Sequence, residues 1–148
     1  MRYLLDYPGY SEGYATYVEV FSYSMMDAEG YGDIYQLMNM EMYEYNLALC
    51  SRVDLGVHYE GWKKKDVRAY LRSFGMDDSQ ADELFQMIIE NPANYLSYYI
   101  GYQEFYELLT DYKKMAGNKC SLKAYHTEIL DAGPCSFDIL RRRIESNL

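Results

Sequence analysis

Apolar side chains recur along this chain at steps of three and four residues, the period of helices that bury one face. The spacing predicts a first helix from Ser11, as its N-cap, to about Met26, with a break at Gly30-Tyr31-Gly32. A long helix is expected from about Asp33 to Asp54, ended by Gly56 as a left-handed terminator. Its Ile34, Leu37, Met38, Met42, Tyr45, Leu49 and Val53 follow the helical step, and Met40, Tyr43 and Leu47 add a second apolar face, which predicts a central position. A third helix is expected from Lys64 to Phe74, closed by Gly75, and a fourth from Gln80 to Glu90, opened by Asp78 or Ser79 and ended by Asn91-Pro92. The fifth runs from Ala93 to Met115 and stops at Gly117-Asn118. Ser121 is expected to cap a short helix to Asp131, ended by Gly133-Pro134, and Ser136 to cap the last, Phe137 to about Ser146. Alternating runs such as Arg2 to Tyr7 are too few for a sheet. The expected fold is all-α: a single irregular bundle of about seven helices over residues 1–148, with two long central helices.

Composition narrows the partners more than the fold. With 148 residues, 49% of them hydrophobic, the chain can bury roughly two-thirds of its unfolded surface as one domain. A net charge of −9 argues against nucleic-acid or anionic-membrane binding, both of which need basic surface. No apolar run approaches the roughly 20 residues of a membrane span, and no signal peptide is predicted. Lys63-Lys64-Lys65 and Arg141-Arg142-Arg143 are expected to be solvated helix ends. Cys50, Cys120 and Cys135 lack C-x-x-C spacing and are expected to be small buried or part-buried fillers, with a Cys120–Cys135 bridge as the alternative. The chain carries 19 tyrosines, so every buried ring brings a hydroxyl that must find a partner. Tyr95, Tyr98, Tyr99, Tyr102 and Tyr106 fall on one helical stripe, which is expected to be mostly core, with some of it open to a wet cleft.

A zinc hydrolase needs three protein ligands, an open position and a general base, usually supplied by a His-Glu-x-x-His helix and a later carboxylate. This chain has two histidines, His58 and His126, and neither sits in such a motif. The chain alone is therefore not expected to hold zinc or to hydrolyse a substrate.

Four segments, in order, carry a family resemblance. Glu12-Gly13-Tyr14-Ala15-Thr16-Tyr17-Val18-Glu19 resembles an E-G-W-A-x-Y-x-E motif, and Arg52-Val53-Asp54-Leu55-Gly56-Val57-His58-Tyr59-Glu60-Gly61-Trp62 resembles R-x-D-x-G-x-H-x-x-G-W. Pro92 with Leu96, Tyr98, Ile100 and Gly101 resembles P-x-x-x-L-x-Y-x-I-G, and Ala124-Tyr125-His126 followed by Gly133 resembles A-F-H then G-A-L-P. Together they resemble bacterial domain-of-unknown-function family 885, whose members look like zincin-type metallopeptidases. Tyr14 replaces the motif's Trp, Lys63 stands where a capping Thr is common, and Ser136 stands at the usual closing Pro.

The resemblance implies that the chain is the C-terminal portion of a longer protein whose H-E-x-x-P-G-H segment lies upstream. It implies zinc in the parent protein, Glu12 as a metal ligand, Glu19 as a residue orienting that ligand, and a peptide-like substrate. His58 or Arg52 would then stabilise an oxyanion or hold a substrate carboxylate, and Tyr98 would donate a hydrogen bond in the transition state. Without the resemblance, Glu12 complements the helix dipole, Glu19 is a surface glutamate, and Arg52, Asp54 and His58 pair or pack at a helix end. His126 reads as a packed, hydrogen-bonded histidine and Trp62 as an anchor of the turn. Two function classes follow. In the first, the chain supplies one ligand and one cleft wall of a zinc-dependent hydrolase, with the missing N-terminal portion or a second copy of the chain as partner. In the second, it is a free-standing, non-catalytic helical domain that binds another protein. The first predicts a groove lined by Glu12, His58 and Tyr98.

Overall fold

The computed structural model of the chain describes residues 6–23, 25, 32–39 and 44–147, and all regular structure among them is helical. The helices are α1 (Pro8–Tyr23), α2 (Gly32–Asn39), α3 (Asn46–His58), α4 (Lys64–Ser73), α5 (Ala81–Glu90), α6 (Asn94–Ala116), α7 (Leu122–Ala132) and α8 (Phe137–Ser146). The all-α expectation holds. Among the described residues no helix is long and apolar enough to cross a membrane.

Several boundaries differ from the expected ones, each for a local reason. Helix α1 begins at Pro8, whose fixed φ and missing N–H suit a first helical position, so Ser11 lies inside the helix instead of capping it. The backbone N–H groups of Tyr10 and Ser11 both donate to the Tyr7 carbonyl. Helix α3 continues two residues past Gly56, which therefore does not terminate it. Gly56 is needed for closeness: a Cβ there would fall into the Trp62 ring. The span expected as one helix from Asp33 to Asp54 holds α2 and α3, and residues 40–43 between them lie outside the described residues. Other signals held. Ser121 accepts the Ala124 N–H at 3.3 Å, α5 stops at Glu90 before Asn91-Pro92, and α6 stops before Gly117, which takes φ 49°. Ser136 precedes α8 in extended geometry, yet its side chain makes no capping bond. Lys63 cannot accept a capping bond; Asp66 supplies the cap by accepting the Lys63 N–H at 2.9 Å.

Two apolar clusters share α6. The larger gathers Tyr10 and Tyr17 of α1, Tyr102, Phe105, Leu108, Leu109 and Tyr112 of α6, and Tyr125, Ile129, Leu140 and Ile144 of α7 and α8. The smaller joins Leu49 and Val53 of α3 to Val67, Leu71, Ala81 and Ile88 of α4 and α5, with Tyr95 of α6 against it. Helix α6 is thus the shared wall. Helices α1 and α6 run in the same direction, with contacts advancing along both from Gly13–Gly101 to Tyr17–Phe105. They touch backbone to backbone: a Cβ on Gly13 would strike Gly101, and one on Gly101 would strike the Gly9 carbonyl.

Buried tyrosines tie the helices together through their hydroxyls. Tyr10 donates to the Ile129 carbonyl at 2.7 Å, and Tyr125 to the Phe105 carbonyl at 2.9 Å. Tyr112 donates to the Ser121 carbonyl at 3.1 Å, and Tyr102 to Glu44 at 3.1 Å. Burial pushes the Tyr10 hydroxyl up to about 12. The tyrosine stripe of α6 is less uniform than expected: Tyr102 is buried, whereas Tyr106 is 54% exposed.

The basic run on α8 also departs from expectation. Arg141 pairs with Asp111 at 2.8 Å and Arg143 with Glu128 at 2.8 Å, so two of its three arginines fasten α8 to α6 and α7. The three cysteines are free; Cys50 and Cys135 are half-buried as expected, and Cys120 is exposed.

The contact between α1 and α6 predicts a contrast between two glycines of one helix. Gly13→Ala should cost at least about 2 kcal/mol, because the only relief is to push the two backbones apart. Gly9→Ala meets only a Phe137 ring carbon at 3.8 Å and should be neutral or stabilising by up to about 1 kcal/mol. Urea unfolding of both variants checks this, and equal losses would contradict it.

His126 gives a pH prediction. Its Nε2 hydrogen-bonds the Tyr17 hydroxyl at 2.9 Å, with the Phe21 and Tyr125 rings packed around it. Burial lowers its pKa below the ordinary histidine value, against a smaller opposing effect of a bond to the Leu122 backbone. The unfolded chain therefore takes up this proton first as pH falls. This contribution to stability is intact above the ordinary value of about 6.5 and is lost progressively as pH drops below it. An NMR titration should place the His126 midpoint below that value.

Candidate functional site

Glu12 and Tyr98 meet because Gly13 and Gly101 do. Glu12 precedes Gly13 on α1 and Tyr98 lies one turn before Gly101 on α6, so the backbone contact sets the two side chains together. The half-buried Glu12 lies in the second turn of α1, since the helix starts earlier than expected. Hydrogen bonding to Glu12 raises the Tyr98 pKa most, followed by burial, the Glu12 charge and Tyr95. Glu19, two turns further along, instead faces Tyr23, whose hydroxyl lies 3.4 Å from its Oε1.

The second group of site candidates sits where α3 ends. Arg52 lays its guanidinium over the Trp62 ring, 4.5 Å from the centroid, and pairs with Glu60 at 3.0 Å. The Trp62 backbone N–H donates to the Gly56 carbonyl at 2.8 Å, and Gly61 takes φ 74° so that the chain can turn back. Trp62 is therefore the anchor that the sequence suggests. Asp54, 2% exposed, bonds two ways. Its Oδ1 lies 2.8 Å from His58 Nδ1, and its Oδ2 accepts the Ala93 N–H at 2.8 Å. Ala93 holds φ 62°, a left-handed conformation unusual for a residue with a Cβ. The His58 side chain is about one-third exposed, at 37%.

Both groups adjoin the start of α6. Ala93, just before that helix, binds Asp54, and Tyr98, five residues on, meets Glu12. Five residues of helix rise roughly 7.5 Å. Glu12–Tyr98 and Asp54–His58 are therefore two pairs assembled on one short stretch, although they arise from different helices. Arg52 is brought near His58 in sequence, but its guanidinium is directed to Trp62 and Glu60. Asp54 is the member that sequence reasoning passed over, having read it as an ion-pair partner for neighbouring helices. The available signal was its spacing from His58, four residues along one helix face.

Among the described residues, no three His, Cys, Asp or Glu side chains converge as a metal site would require. A cavity of about 190 Å³ opens further along α1 and α6, lined by Tyr17, Phe21, Tyr102, Tyr106, Leu109 and Lys113. It is largely aromatic and lies beyond the Gly13–Gly101 contact from Glu12.

Among solved structures, the chain is similar to the crystal structure of a "putative lipoprotein" from Colwellia psychrerythraea, with a TM-score of 0.76 and 25% sequence identity. The match covers 95% of this chain and 24% of that one, so the chain spans about a quarter of that protein's length. No curated protein matches the chain. Residues 1–144 match the family profile described as "Bacterial protein of unknown function (DUF885)", and the chain belongs to that family.

Proposed function

We propose that this chain forms one wall of the active site of a zinc-dependent, peptidase-like hydrolase, contributing the Glu12 carboxylate as one metal ligand. The supporting observation is the half-buried Glu12 carboxylate with the Tyr98 hydroxyl beside it, braced by a backbone contact that leaves little room for drift. A carboxylate oxygen suits zinc, and ligating carboxylates are commonly oriented by a neighbouring hydrogen-bond donor. The fit is partial within this chain: Glu12 is one ligand, and the remaining ligands would come from residues outside it. The 24% coverage of the similar solved protein leaves ample chain in such a relative to supply them. Bound zinc would supply an acidified water and polarise a carbonyl.

The chain's own residues then have separable tasks. The Tyr98 hydroxyl, beside Glu12, would orient that carboxylate. Asp54 holds His58 at the mouth of the α3–α4 turn, with its imidazole toward solvent. Arg52, taken up by Trp62 and Glu60, braces that turn. The substrate class in this reading is a peptide-like amide, whose binding would draw on the same stretch of α6.

The test uses a chimaera in which this chain replaces the corresponding quarter of the solved relative, with bound zinc measured by mass spectrometry after dialysis. Glu12→Gln should lower zinc affinity at least about tenfold while helix content stays unchanged. Tyr98→Phe should weaken binding less. Full zinc retention in the Glu12 variant would remove the metal role of Glu12.

A further inference from the structure

We propose that Asp54 is a positioning residue that commits His58 to the tautomer protonated on Nδ1, so that the imidazole offers solvent a bare Nε2 able to accept a proton. The inference rests on the hydrolase reading for its use, but its geometry stands independently. His58 Nδ1 faces two oxygens, the Asp54 carboxylate Oδ1 at 2.8 Å and the Asp54 backbone carbonyl at 3.2 Å. A carbonyl only accepts, and so does an ionised carboxylate, so the hydrogen between them belongs to Nδ1.

Asp54 cannot easily turn away from this task. Its other oxygen is held by the Ala93 N–H at 2.8 Å, and the residue is 2% exposed. The left-handed backbone of Ala93, φ 62°, aims that N–H at the carboxylate. Strain of this kind persists where surrounding structure holds it in place and is concentrated at functional sites. The carboxylate is thus clamped from the α5–α6 junction, and the imidazole is clamped by the carboxylate. A histidine oriented this way by a buried acid is the arrangement found in general bases and in metal-bound imidazoles.

The consequence revises the role that the sequence suggests for His58. A neutral imidazole in this tautomer has no proton on Nε2 to give to an oxyanion. It accepts instead, taking a proton from an attacking water or a hydrogen bond from a substrate N–H. The charge it gains lies beside the Asp54 carboxylate, 2.8 Å from Nδ1.

The tautomer is directly readable by nitrogen NMR of this chain, where only two histidines need assignment. At a pH where His58 is neutral, the expected spectrum has Nδ1 protonated and Nε2 bare. Asp54→Asn should invert it: with the amide oxygen kept by the Ala93 N–H, the amide nitrogen donates to Nδ1 and the proton moves to Nε2. A wild-type His58 protonated on Nε2 overturns the proposal even if the variant fails to fold. A folded Asp54→Asn protein with an unchanged tautomer overturns it too. Neither measurement involves zinc, so the metal role of Glu12 can fail while this inference survives, and the reverse.

Discussion

The tightest constraint in this molecule is the absence of two Cβ atoms. Gly13 and Gly101 let α1 and α6 lie backbone against backbone, and the aromatic packing around them depends on that separation. Phe105 illustrates the dependence. It is fully buried, and the rings of Tyr10, Tyr14, Tyr17 and Phe137 all pack on it. Burying one such ring contributes about 1.5–3 kcal/mol, and edge-to-face pairing adds to it. Moving α1 away from α6 would loosen three of those four neighbours at once. The same approach fixes the Glu12–Tyr98 pair, so core packing and candidate chemistry share one cause.

Tyrosine imposes the second constraint. A core built of Phe would need only volume, whereas a buried hydroxyl also needs an acceptor. Here the acceptors include main-chain carbonyls on other elements: Ile129 for Tyr10, Phe105 for Tyr125 and Ser121 for Tyr112. Each such bond specifies register as well as contact, because a carbonyl one residue along points elsewhere. The buried residues of the smaller cluster, around Val53 and Ile88, are all aliphatic and bring no hydroxyl that needs an acceptor. Helix α6 mediates between the two, offering Phe105 and Leu108 to one and Tyr95 to the other.

Much of this was legible in the sequence, for identifiable reasons. Three- and four-residue spacing marked the helices, while Pro92 marked a stop by lacking an N–H, and Gly117 and Gly133 by readily taking the positive φ that ends a helix. Pro8 was a readable start, overshadowed by the capping residue type at Ser11. Gly56 was misread because a glycine near a helix end serves either a left-handed turn or a close contact, and only the partner ring decides between them. The segments bearing the family resemblance proved to be contact partners: Gly13 of one against Gly101 of another, and Asp54 of a third against Ala93. No local pattern announces such pairings. The link from Asp54 to Ala93 crosses 39 positions and depends on how α5 returns the chain, which periodicity does not encode.

The parallel course of α1 and α6 carries an electrostatic consequence. Antiparallel neighbours largely cancel their peptide dipoles, whereas parallel ones reinforce them, so the amide-rich beginnings of both helices lie at one pole of the bundle. In a chain of net charge −9, backbone polarity at that pole opposes the net charge. Asp54 already draws on it through an amide at the threshold of α6. The Glu12 and Asp54 carboxylates stand near these helix starts, so the chain's own charges already answer part of that polarity.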